Sequence, residues 1–142
     1  LGSKLVVDTV RLIEQNKVKT YKQPEIEEKI APKIYSETCK INWNEPIDTI
    51  YNLIRGLNPY PTAWTTLLNN NEKLKVKIYD VKKEYCEHQY KIGTLVTSKN
   101  EIKVAVKNCF IVLESLQLSG KRKMDSKSLL NGFTFHEKSI MQ

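Results

Sequence analysis

Apolar residues recur at helical spacing in KLVVDTVRLIEQ (4–15), with Val6, Val10 and Ile13 on one face, Asp8, Arg11 and Glu14 elsewhere, and Asn16 placed to end the helix. An amphipathic helix is predicted there. From Lys17 to Lys40 the periodicity is lost, Pro24 and Pro32 interrupt the chain, and PEIEEKIAPK mixes charges of both signs. Connections inside compact domains mostly run about 4–6 residues, so this length predicts an interdomain linker. The expected organisation is a terminal helix over 1–16, a linker over 17–40 and a domain over 41–142.

The pattern sharpens from Ile41. Asn44 is placed to cap and Pro46 suits a first turn, while Ile47, Ile50, Tyr51, Ile54 and Leu57 fall at helical spacing until NPYP, so a helix is predicted over 45–57. WTTLL (64–68) reads as a strand, NNNE (69–72) as a turn, and LKVKIY (74–79) as a strand whose Leu74, Val76 and Ile78 alternate with Lys73, Lys75 and Lys77. Residues 93–97, 102–107 and 110–117 supply three more strands, separated by SKNE and KN turns. SGKRKM then forms a basic loop, and Asp125 is placed to cap a short helix running through Leu130 to Asn131 and Gly132. Five short strands with flanking helices predict a mainly β, α+β fold: a small open antiparallel barrel of oligonucleotide-binding type, which leaves few bare strand edges.

Composition narrows the function classes. Hydrophobic residues at 40% and charged residues at 27% are ordinary globular values, no apolar run approaches a membrane span, and no leader pattern is visible, so a cytoplasmic protein is expected. Leu1 stands in place of an initiator methionine and the first pattern is already helical, which gives the expectation of a piece of a longer protein. Cys39, Cys86 and Cys109 have irregular spacing, poor for a disulfide framework. Cys86 and His88 are near neighbours, but a zinc site needs about four converging donors and His136 is distant in sequence, so no metal is expected. The net charge of +7 favours polyanionic partners, because lysine and arginine displace the counterions condensed on phosphate backbones.

Three ordered stretches carry a family resemblance: APKI (31–34) with INW (41–43), IRGLNPYPTAW (54–64), and LQLSGKRKM (116–124) with LLNGF (129–133). Together they resemble the C-terminal domain of the methionyl-tRNA formyltransferase family, and residues 1–16 are similar to the final helix of its catalytic domain. The chain departs from the family pattern at Asn42, Ile92, Leu118 and Ser119, which bears on local turn geometry rather than on the basic positions. The resemblance implies a family that moves the formyl group of 10-formyltetrahydrofolate to methionyl-initiator tRNA, with an asparagine, a histidine and an aspartate in the N-terminal domain. No catalytic residue, cofactor or activity is then expected in this fragment. His88 and His136 have no evident acid or nucleophile partner. The implied partner is initiator methionyl-tRNA, bound by a monomer, without DNA or membrane.

RNA helices present backbone and 2′-hydroxyls rather than base edges, so basic side chains are the candidate contacts. They are Lys121, Arg122 and Lys123 in the basic loop, Arg55 near the helix end, the row Lys73, Lys75 and Lys77, and Lys33 in the linker. Each has a structural alternative. The lysine row also suits a solvated face or a strand edge, Arg55 could pair with Asp48 or Glu45, and Lys33 and Lys29 could counter Glu25, Glu27 and Glu28. Trp43, Tyr60 and Trp64 are expected to pack rather than to stack on bases. Residues 41–142 hold fifteen basic against ten acidic residues, which favours tRNA modestly over two rivals: the tail of another folate-dependent formyltransferase or hydrolase, and a free-standing nucleic-acid-binding barrel.

Overall fold

A computed structural model describes residues 1–22 and 31–142, which fall into two compact units, Leu1–Lys33 and Ile34–Gln142. Pro24, Glu25, Glu27, Glu28 and Lys29 lie outside the described residues.

In the first unit, helix α1 spans Gly2–Glu14 and buries none of its residues. Asn16 takes a left-handed φ of 53°, the conformation its position at the helix end suggests. Lys33 is exposed.

The second unit is a barrel with two helices. Helix α2 (Ile47–Leu57) buries Ile50, Ile54 and Leu57, one stripe of its 3.6-residue repeat. Its start corrects the expected cap: Pro46 is the N-cap residue and no side chain caps the helix. Asn44 instead donates through Nδ2 to Asn42 Oδ1 (3.2 Å). At the other end the chain reverses through NPYP, and the Thr62 N–H donates to Leu57 O (2.9 Å).

Seven strands follow: β1 Ala63–Asn69, β2 Glu72–Glu84, β3 Leu95–Thr97, β4 Ile102–Val106, β5 Cys109–Leu118, β6 Met124–Asp125 and β7 Ile140–Met141. The sheet runs β3-β4-β5-β2-β1-β7, with β6 attached to β5. Every strand pair is antiparallel. The segment before β3 meets β7, with Met141 N–H donating to Gly93 O (2.8 Å) and Leu95 N–H to Ser139 O (3.0 Å), so the ring is nearly closed. The expected small antiparallel barrel is therefore present, with two short strands beyond the five anticipated. One expected strand is shorter, since Gly93 and Thr94 bridge to β7 instead of extending β3.

Val76, Ile78, Ile102, Val104, Ile111 and Leu116 are essentially inaccessible and form the centre of the barrel. Burying each such aliphatic side chain is worth about 1.5–3 kcal/mol against leaving it in water. Trp43 closes this core, and its Nε1 donates to Thr65 Oγ1 (2.9 Å). Register slips between Ile78 and Val81 along the β2–β5 pair. Inward positions are even before the slip, at Val76 and Ile78, and odd after it, at Val81, so Asp80 is carried to the outer surface. Helix α3 (Ser126–Leu130) is capped as anticipated, with Asp125 Oδ1 accepting from the Ser128 N–H (2.8 Å).

Candidate nucleic-acid interface

Lys73, Lys75 and Lys77 lie on the outer face of β2, because their neighbours Val76 and Ile78 are committed to the core. Strand β2 sits between β1 and β5, so the lysines are no edge device; the alternative of a protected edge is corrected by the sheet order. The ammonium of Lys75 lies over the Trp64 ring, 4.0 Å from its centroid. Trp64 is half-buried and held by its Nε1, which donates to Ser36 O (2.8 Å). Of the three aromatics expected to pack, Tyr60 does not: it is 88% exposed, because the reversal between α2 and β1 projects its middle residue outward.

The basic loop is brought against the lysine row. At its root Ser119 N–H donates to Lys75 O (2.9 Å), and Lys121 N–H donates back to Leu118 O (3.0 Å) around Gly120, whose φ is +76°. Between row and loop lies a cleft of about 120 Å³ lined by Lys75, Lys77, Gln117, Leu118, Ser119 and Gly120. Gln117 lines it. The amide donates through Nε2 to Lys121 O (2.8 Å), and its Oε1 accepts from the Tyr79 hydroxyl (2.9 Å). Lys123 lies over the Tyr79 ring, 4.4 Å from the centroid, and reaches Asp80 Oδ2 at 3.5 Å. Asp80 also accepts from Asn58 Nδ2 (3.1 Å), just past the end of α2.

The charges sort by ion pairing. Lys83 meets Asp48 at 2.7 Å, Lys103 meets Glu84 at 2.6 Å, and Lys82 meets Glu114. The side-chain hydrogen bond to the partner carboxylate raises the lysine pKa in each case. Lys73, Lys75, Lys77, Lys121 and Arg122 make no ion pair among the described residues, and Lys123 is only partly countered by Asp80. The backbone of the loop thus lies beside Lys75 and Lys77 at the end of β5, with the Lys123 ammonium over Tyr79 and that of Lys121 5.9 Å from the centroid of the Phe133 ring. Arg55 is exposed on α2 and donates through Nη2 to Asn52 Oδ1 (3.3 Å). It pairs with neither Asp48 nor Glu45: Asp48 is taken by Lys83, and Glu45 accepts from Asn42 Nδ2 (3.1 Å). Lys33 belongs to the first unit.

Gln117, Tyr79 and Asp80 were not anticipated. Their sequence signal is faint, since a lone glutamine or tyrosine on an outer strand position is ordinary, and only the register slip explains why an aspartate at an inward position faces out.

No general base presents itself at His88. It packs on Phe110 (ring centroids 4.3 Å apart), its Nε2 lies 2.8 Å from Cys109 O, and its Nδ1 accepts from the Tyr90 N–H (3.2 Å). With Nδ1 accepting, Nε2 is the donor, and both ring nitrogens are engaged in holding the loop. The Cys86 thiol points to Glu87 O (3.7 Å) rather than towards His88. A wider open groove of about 810 Å³ passes Lys40, Trp43, Lys91, Ile92 and Met141; among the described residues its lining includes Glu37 but no histidine, cysteine, serine or threonine.

Residues 33–134 match the family described as formyl transferase, C-terminal domain. The chain belongs to this family. Its relatives include the methionyl-tRNA formyltransferases of Flavobacterium johnsoniae, 47% identical over 140 residues (98% of this chain, 44% of the relative), and of Bacteroides thetaiotaomicron, 45% identical over 139 residues (94% and 43%). That of Parabacteroides distasonis is 44% identical over 140 residues (94% and 43%). The chain thus spans less than half the length of these relatives. Among the described residues, the domain is a nearly closed barrel whose cleft-lining Lys75 and Lys77 make no ion pair, and no helix is long and apolar enough to cross a membrane.

Proposed function

We propose that this chain is the tRNA-holding C-terminal part of a methionyl-tRNA formyltransferase, a cytoplasmic monomer that carries the formyl group of 10-formyltetrahydrofolate to the amino group of methionyl-initiator tRNA. The chemistry belongs to residues outside the chain, and no cofactor binds within it. The observation that carries the reading is the cleft lined by Lys75 and Lys77 beside the basic loop that bears Lys121 and Arg122, four cations that make no ion pair among the described residues. Such a face suits a phosphate backbone, which is read through charge and shape. The names borne by the relatives support tRNA as the polyanion, in preference to a sugar nucleotide or a folate acted on by another enzyme of this kind.

Lys121, Arg122, Lys123, Lys75 and Lys77 form the main contact; Lys73 and Arg55 are further contacts on the same unit, and Lys33 is a contact of the first unit by itself. Titration of fluorescent tRNA with the chain at several salt concentrations tests this. Binding should fall steeply with salt, and reversing Lys75, Lys77, Lys121 and Arg122 to glutamate should abolish it. Tight, salt-insensitive binding, or binding that survives the reversal, sinks the reading. In the full-length protein the same reversal should raise KM for methionyl-initiator tRNA and leave folate binding unchanged.

A further inference from the structure

The basic loop and the lysine row belong to different parts of the barrel, and cations on a loop act together with cations on a strand only if their spacing is held. Coulomb repulsion between them works against that spacing. Two backbone hydrogen bonds at the loop root resist it, but both lie at or before Lys121. Past Lys123 the chain is pinned again by the β5–β6 pair, with Met124 opposite Leu116, and between these two anchors the connection runs through side chains. Gln117 is paired directly with Lys77 across the β2–β5 ladder, so its side chain rises from the sheet beside the lysine row. It donates through Nε2 to Lys121 O and accepts from the Tyr79 hydroxyl, while the face of Tyr79 carries Lys123. One amide thus fixes the loop carbonyl, and one phenol orients both the amide and a loop cation.

We propose that Gln117 is a positioning residue that, braced by Tyr79, locks the Lys121–Lys123 loop at a fixed distance from Lys75 and Lys77, so that both groups engage the same run of RNA phosphates. The inference rests on the reading that this face binds tRNA. A neutral amide is suited to the role: it satisfies a donor and an acceptor at once and adds no negative charge to the cleft. Leucine at this position fills similar volume and makes neither bond. Tyr79→Phe keeps the ring beneath Lys123 and removes only the brace.

The test is a double-mutant cycle on the full chain with bulk tRNA as the probe, read as affinity at several salt concentrations. In the wild-type background the pair Lys121→Ala, Arg122→Ala should weaken binding by about tenfold or more and lower the log-log salt slope by about one unit per lost contact. With Gln117→Leu in place the same pair should cost about twofold or less, because the loop is already disengaged. Tyr79→Phe should show the same loss of coupling in milder form, which keeps the test decisive if Gln117→Leu folds poorly. Amide hydrogen exchange at Lys121 should quicken in both variants while exchange in β4 does not. If wild-type binds and the cost of the loop pair is undiminished in the Gln117→Leu and Tyr79→Phe backgrounds, the positioning role is overturned and the tRNA reading stands. If wild-type shows no salt-dependent binding, that reading fails and takes the inference with it.

Discussion

At the scale of single residues, the barrel depends on positions where only one side chain fits. Gly93 has a φ of +86°, and a Cβ there would run into the carbonyl oxygen of Met141, the backbone that its own carbonyl receives in the β7 bridge. Gly93→Ala is expected to cost more than about 1 kcal/mol from the left-handed backbone alone, with the clash added. Urea unfolding of the variant measures it, and an unchanged midpoint contradicts the geometry. Asp125 gives a pH-dependent counterpart. The backbone N–H of Ser128, followed by the Ser128 hydroxyl, holds its carboxyl below the usual carboxylate range. A group lowered on folding stabilises above its unfolded pKa of about 4, and that contribution disappears as pH falls through the lower folded value. Asp125→Ala should therefore melt below wild-type at neutral pH, and the two curves should converge under strong acid.

Elements follow from how far the alternation of apolar and polar residues extends. Helix α2 and strands β1, β4 and β5 were legible within a residue or two of their ends because their inward positions alternate cleanly, as at Ile102, Val104 and Val106. The two-residue strands β6 and β7 were not, since so short a segment carries no period and exists only through its partner. Strand β2 ran past its expected end at Tyr79 because the register slip reverses the alternation there, which in a sequence looks like a stop. Asn69 was read as part of a turn, yet it ends β1, with Asn70 and Asn71 making the turn to β2. Its buried side chain holds the C-terminal segment: Oδ1 accepts from the His136 N–H (3.0 Å) and the Ser139 hydroxyl (2.5 Å), and Nδ2 donates to Thr134 O (3.1 Å). Removing it leaves the buried Ser139 hydroxyl and two part-buried backbone groups without their partner, so Asn69→Ala should cost about 1–3 kcal/mol. Hydrogen exchange should show β7 opening ahead of β5; a variant with native stability and a protected β7 would deny Asn69 this role.

At the scale of the whole molecule, the candidate interface was half legible. Sequence supplies the cations, and period-two alternation places Lys73, Lys75 and Lys77 on one side, but which lysines keep their charge available is decided by distant carboxylates. Lys82, Lys83 and Lys103 look equivalent to Lys75 in the sequence, yet each meets an acid: Glu114 from the next strand, Asp48 from α2 and Glu84 from β2. A screened, exposed pair of this sort adds little stability, but it removes a cation from the long-range field. Salt-dependent binding should therefore distinguish the two sets. Replacing Lys82, Lys83 and Lys103 by glutamine is expected to leave the tRNA salt slope within about half a unit of wild-type, whereas replacing Lys73, Lys75 and Lys77 lowers it by about two to three units. Both triple variants lose the same formal charge, so equal losses of slope would mean that net charge alone governs binding. Unequal losses in the expected direction tie it to the cleft, because counterion release counts phosphates met at contact distance, and a lysine already held by a carboxylate releases none.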